Sequence, residues 1–194
     1  GILLDTRGAE GYYRSFVLRR ALRILPLYYA ALATLLIGTA LLSGAAGSEG
    51  AELRGAQAWY WTHLVNLLVA RNGFAGAPLH TGHFWSLAVE EQFYILWPLV
   101  VAKCSIATLR RVCFAVIGFA LASRVCIVMY AWGTDVVPGA YVLPFARLDT
   151  LVLGAWLAIV ARQPGGLAVA WRRIRQLGFL GLAGLAIIAL SVRS

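Results

Sequence analysis

The sequence predicts an all-α polytopic integral membrane protein, with about five transmembrane helices and one short re-entrant or interfacial segment. Hydrophobic residues fill 61% of its 194 positions and charged residues only 13%, where a soluble domain carries about a quarter. Apolar runs recur at lengths near the roughly 20 residues that a helix needs to cross about 30 Å of hydrocarbon. Most of the 17 basic residues fall in three segments between those runs, and basic loops stay on the cytoplasmic side. A net charge of +9 spread in this way reports orientation, so no nucleic-acid partner is expected.

In chain order, residues 1–4, "GILL", read as the last turn of a helix that starts upstream. Arg7, Arg14, Arg19, Arg20 and Arg23 follow, which assigns residues 1–23 to the cytoplasm. The first crossing is placed at 24–43, twenty residues without a charge. "SGAAGSEGAELRG", 43–55, reads as a Gly- and Ala-rich loop. Residues 58–70, "AWYWTHLVNLLVA", are too few for a comfortable crossing, and counting them as one would put the 103–111 segment outside, against its charge. They are read as interfacial or re-entrant, with Trp59, Tyr60 and Trp61 at the headgroup level. Crossings at 84–102, 112–132, 141–161 and 177–192 complete a single membrane domain over 1–194. The segments 103–111 and 162–176, both basic, are cytoplasmic. Cys104, Cys113 and Cys126 read as free thiols packed as small apolar residues.

The stretch "GHFWSLAVEEQFYILWP", 82–98, sets two glutamates inside an expected crossing. At 100° per residue, Ser86, Glu90 and Tyr94 share one stripe of the helix, while Glu91 points away from it. Glu90 then lies about 10 Å inward from Phe84, in the outer third of the bilayer. A carboxylate there needs a partner, and His83, Arg124 and Arg147 are the candidates. Glu90 with His83 would make a general base, because burial and neighbouring charge tune both groups. The plainer alternative is an ion pair holding two helices in register.

Other ionisable residues point the same two ways. Arg124, near the middle of 112–132, must face Glu90, Asp149 or a water-filled cavity, as an ion pair or as part of a site. Arg147 and Asp149, two apart, each need a partner of their own. His63 reads as a packed or interfacial histidine. His80 and His83 form H-x-x-H without a carboxylate at ligand spacing, and no metal is expected. A transporter using Arg124, Glu90 and Asp149 as a charge relay is the competing class; it predicts interrupted helices in repeated halves, and the sequence shows no repeat.

"HFWSLAVEEQFYILWP" resembles the H-x-W-S-L-x-x-E-x-x-x-Y signature of the acyltransferase family 3 membrane proteins. "YYRSFVLRRALRILPLYY", 12–29, is similar to the family's R-R-x-x-R-I-x-P segment, "ARLDTLVLGAWLA", 146–158, to its later R-x-D motif, and "GILL" to the tail of its second helix. The resemblance implies an enzyme with no permanently bound cofactor. Its donor substrate would be acyl-CoA, usually acetyl-CoA, and its acceptor a hydroxyl of an extracytoplasmic or lipid-linked glycan at the inner (plasma) membrane. Carried onto this sequence, it implies that Arg19, Arg20 and Arg23 engage the acyl-CoA. It places Ser86, Glu90 and Tyr94, with His83 and Trp85 upstream, at the catalytic signature, and Arg147 and Asp149 at the later motif.

Guanidinium forks suit the phosphates of coenzyme A, although positive anchors are also usual where a helix enters a membrane. The family's first helix, with an intramembrane histidine regarded as the base, is not in this sequence. The chain is therefore expected to be a fragment, or else an inactive remnant of such an enzyme. Upon donor binding, Glu90 would steady the histidine base, and Ser86, Tyr94 or an arginine would bond the oxyanion.

Overall fold

The computed structural model describes residues 2–130 and 138–166 and the single positions 168, 171, 172 and 175. The expected crossing at 177–192 lies outside the described residues. Within them the chain is helical: α1 (Ile2–Asp5), α2 (Tyr12–Leu41), α3 (Ser43–Trp61), α4 (Val65–Asn72), two 3-10 turns (Phe74–Gly76 and Pro78–His83), α5 (Phe84–Lys103), α6 (Ile106–Tyr130), α7 (Pro138–Val142) and α8 (Pro144–Val160). Three segments among the described residues are long and apolar enough to cross a membrane: Tyr12–Leu41, Ile106–Tyr130 and Gly139–Val160. Helix α5 has the 20-residue length but is not among them, because Glu90, Glu91 and Gln92 interrupt its apolar run.

Helix α2 starts twelve residues before the charge-free run begins. No helix breaker stands between Gly11 and Pro26, and arginine is a good helix former. The arginine segment is thus part of the helix and not a loop ahead of it. Helix α5 lies antiparallel along the first half of α2. The Tyr12 hydroxyl donates to the Pro98 carbonyl and the Tyr13 hydroxyl to the Ile95 carbonyl, both at 3.2 Å, beside the proline that denies α5 a backbone donor. Sixteen residues up α2, Tyr28 meets Phe84 edge to face, with centroids 5.1 Å apart.

The segment expected to be a loop at 43–55 is helical. Ala, Glu, Leu and Arg favour helix, Leu53 is fully buried, and Arg54 donates to the Thr39 carbonyl at 2.8 Å; only Gly47, at φ 54°, leaves helical geometry. Helix α3 therefore folds back along the second half of α2. The segment 58–70 is the end of α3, a turn and most of α4, and its aromatics divide. Trp61 is exposed, while Tyr60 is fully buried, sharing a 2.6 Å hydrogen bond with Thr81.

Two apolar cores result, and α5 belongs to both. Phe84, Trp85, Ala88 and Val89 join a core with Tyr28, Leu32, Leu53, Tyr60, Val65 and Val69. Phe93, Trp97 and Val101 join a second with Leu109, Cys113, Val152 and Ile159. The polar run 90–92 is the seam between the two. Helix α6 packs most extensively on α8, and the three cysteines are free.

The basic segments meet at one end of the bundle. Arg7 donates to the Ala102 carbonyl at 3.2 Å, and Arg162 forks onto both carboxylate oxygens of Asp5 at 2.8 and 2.5 Å. Those hydrogen bonds hold the Asp5 carboxyl below its ordinary value of 3.8. A lowered folded value means that the pair contributes above the unfolded pKa and is lost as pH falls through the folded one. Thermal stability titrated from neutral to acid should show a step below about pH 3.8 that Asp5→Asn lacks. A step that survives the substitution belongs to another carboxylate.

Candidate functional site

Arg20 is the centre of the seam. Its Nη2 stands 3.8 Å from Glu90 Oε2, and its guanidinium carbon lies 3.3 Å from the Tyr94 ring centroid, a cation–π contact made stronger by the loss of water. Neither the Arg20 Nε nor the Glu91 Oε1, both buried, has a hydrogen-bond partner among the described residues. At 3.8 Å the Arg20–Glu90 contact is an ion pair without a direct hydrogen bond. Guanidinium donors thus remain for a ligand.

This corrects the expected partner of Glu90. The ion pair is made with Arg20, and neither Arg124, Arg147 nor His83 supplies it. Arg124 instead pairs with Asp149. Arg147 lies against two aromatic rings, 4.4 Å from the Tyr141 centroid and 5.5 Å from that of Trp85. His83 sits seven residues before Glu90, about 10 Å along the axis, and its carbonyl accepts the Ser86 hydroxyl at 3.2 Å. The stripe Ser86, Glu90, Tyr94 therefore divides: Ser86 closes the first turn of α5, while Glu90 and Tyr94 meet through Arg20.

The arginine motif divides as well. Arg19 and Arg23, four apart, share an exposed face, and Arg20, set about 100° away, turns inward. Three cations do not converge on one point. One enters the protein and two remain on its outside.

Beside Arg20 opens a cavity of about 520 Å³, the size range of small-molecule sites. Phe16, Phe93, Trp97, Val101 and Leu109 wall it, α8 supplies Thr150, Leu151, Gly154, Ala155, Ala158 and Ile159, and Ile2, Leu3 and Leu4 close the end that carries the basic segments. Arg20 and Tyr94 are its polar head. An apolar chamber with a forked cation at one end suits an extended, mostly apolar arm bearing one carbonyl. The α8 wall is not evident from the sequence, since its signal is only a spacing of small residues, Gly154, Ala155 and Ala158, on a helix read for its Arg147 and Asp149.

Comparison with known proteins bears on this arrangement. The acyltransferase domain family matches residues 3–193. The O-acetyltransferase OatA of Staphylococcus aureus is 31% identical over 140 residues, 67% of this chain and 21% of the relative. The peptidoglycan O-acetyltransferase YrhL of Bacillus subtilis is 31% identical over 157 residues, 76% of this chain and 24% of the relative. The chain thus spans about a fifth to a quarter of the curated relatives it matches. No solved structure matches it.

Proposed function

The chain belongs to the acyltransferase 3 family, and on that premise we propose that it is the donor-binding part of a membrane O-acyltransferase. The enzyme moves an acyl group, usually acetyl, from cytoplasmic acyl-CoA to a hydroxyl of an extracytoplasmic or lipid-linked glycan, with peptidoglycan the acceptor favoured by the name of one relative. The observation that carries this reading is the apolar cavity headed by Arg20 and Tyr94, with Glu90 paired to Arg20 behind it.

The basic end of the bundle faces the cytoplasm. Arg19 and Arg23, on the outer face of α2, hold phosphates of coenzyme A by bidentate hydrogen bonds. The pantetheine arm enters the cavity between α5 and α8, which brings its thioester carbonyl to Arg20. The acceptor oxygen attacks that carbon and gives up its proton to a base. The carbonyl π electrons move onto oxygen, where Arg20 donors stabilise the charge. Collapse breaks the carbon–sulfur bond, and the thiolate leaves as coenzyme A after taking a proton. Glu90 holds the guanidinium in place and balances the positive charge that forms on the base.

The direct test incubates membranes containing the whole protein with acetyl-labelled acetyl-CoA and a glycan acceptor. Label should pass to the glycan as a base-labile ester. Transport of acetyl-CoA or acetate without any ester would replace the enzyme reading by the transporter one. The cavity has its own check, because a Cβ at Gly154 meets no atom within 4 Å. Gly154→Leu should fold, fill the chamber and raise the KM for acetyl-CoA about tenfold, equivalent to roughly 1.4 kcal/mol, leaving the acceptor KM unchanged. An unaltered donor KM would place the arm elsewhere.

A further inference from the structure

The turn between α3 and α4 carries a histidine where the backbone calls for glycine. Leu64 N–H donates to the Trp59 carbonyl at 2.8 Å and His63 N–H to the Tyr60 carbonyl at 3.2 Å; this pair of bonds is the Schellman helix end, whose left-handed position is usually glycine. His63 occupies it at φ 53°. A side chain kept in that region is held there by its surroundings, and such residues gather at functional sites.

The surroundings are specific. The imidazole stacks on Tyr28 with centroids 4.1 Å apart and meets Tyr29 edge-on at 5.6 Å. The Gln92 amide donates both to the His63 carbonyl and to Asn66 Oδ1, each at 3.1 Å. Asn66 is fully buried. Three polar atoms of this group are buried without a hydrogen-bond partner among the described residues: both ring nitrogens of His63 and the Asn66 Nδ2. Buried polar atoms in native proteins are nearly always paired, so this cluster has the donors and acceptors of a binding site. Trp61, Thr62 and Leu64, beside the histidine, are exposed.

We propose that the His63 imidazole and the Asn66 amide bind a hydroxyl of the saccharide acceptor. Burial pushes the His63 pKa down, which keeps the ring neutral, with one N–H donor and one lone-pair acceptor. A hydroxyl needs that combination, and the Asn66 Nδ2 adds a second donor. Arg20 is taken up by Glu90, and Glu91, next to Gln92, keeps a buried carboxylate oxygen without a partner among the described residues, so the chemistry favours a neutral polyol over an anion. Exposed Trp61, stacked on Tyr29 at 5.4 Å, offers an apolar face for a sugar ring. The inference rests on the acyl-transfer reading and adds to it the acceptor side, at the level of Tyr28 on α2 and Gln92 on α5.

Glycine adopts the left-handed region freely, so His63→Gly removes the imidazole and keeps the turn. In the whole protein, with acetyl-CoA as donor and the β-1,4-linked N-acetylglucosamine tetramer as acceptor probe, His63→Gly should melt no lower than the parent. It should raise the tetramer KM about tenfold, the scale of one or two lost hydrogen bonds, and leave the acetyl-CoA KM alone. Asn66→Asp, which keeps the shape and removes the donor pair, should raise the same KM. An unchanged tetramer KM in both variants overturns the proposal and leaves the cluster a structural water site. Should the parent transfer no acetyl group, the acyl-transfer reading fails, and binding of the tetramer followed by tryptophan fluorescence decides this site separately. Binding lost in His63→Gly supports it, and equal or absent binding in parent and variant overturns it.

Discussion

Replacing Arg20 by alanine in the whole protein is expected to lower the rate of acyl transfer by about 10²–10³-fold, the cost of removing one preorganised donor to an oxyanion. The loss should fall on kcat, because the donor acts on charge that develops only in the transition state. Arg20→Lys should rescue little. An ammonium lacks the planar face that lies over Tyr94 and the fork that reaches both Glu90 and a carbonyl. Arg19→Ala and Arg23→Ala should behave differently, raising the KM for acyl-CoA with kcat nearly kept, since phosphate contacts hold ground state and transition state alike. Initial rates over a range of acetyl-CoA concentrations distinguish these patterns. Arg20→Ala with parental kcat would remove this residue, and the cavity it heads, from the chemistry.

The second large effect concerns stability. Asp149→Leu leaves Arg124 without its only carboxylate among the described residues, in the last third of a 25-residue apolar helix. The expected cost is about 2–3 kcal/mol, because removing one partner leaves an uncompensated interior charge that lies off the helix centre, where an unpaired arginine costs about 3 kcal/mol. The double variant Arg124→Leu with Asp149→Leu should recover most of that loss, because replacing both partners of a buried pair by apolar groups is often neutral. Thermal unfolding in detergent micelles, read as a double-mutant cycle, checks it. If Asp149→Leu melts with the parent, the pair does not hold α6 to α8, and its residues are free for a role in the site.

Arg124 also shows how far the sequence could be read. An arginine inside an apolar run has to find a partner, and Asp149 was one of the three destinations that requirement left open. Family membership, the helical class and the gathering of the basic segments at one end were likewise legible, because they follow from motif order, composition and charge. The helical state of 43–55 was not. Glycine suggested a loop, and only the contacts of Leu53 and Arg54 with the neighbouring helices outweigh its low propensity.

By itself, then, the amino-acid order determined which residues needed company: Glu90, Arg124 and Asp149 in an apolar setting, and a set of arginines at a helix entrance. Which partner each one took was decided by tertiary structure. The axial offset between α2 and α5 brings Arg20 to the level of Glu90, and the fold-back of α3 places His63 over Tyr28 and beside Gln92. Helical periodicity assigns a residue to a face. The sliding of one helix along another, set by side-chain packing over the whole interface, assigns it a neighbour.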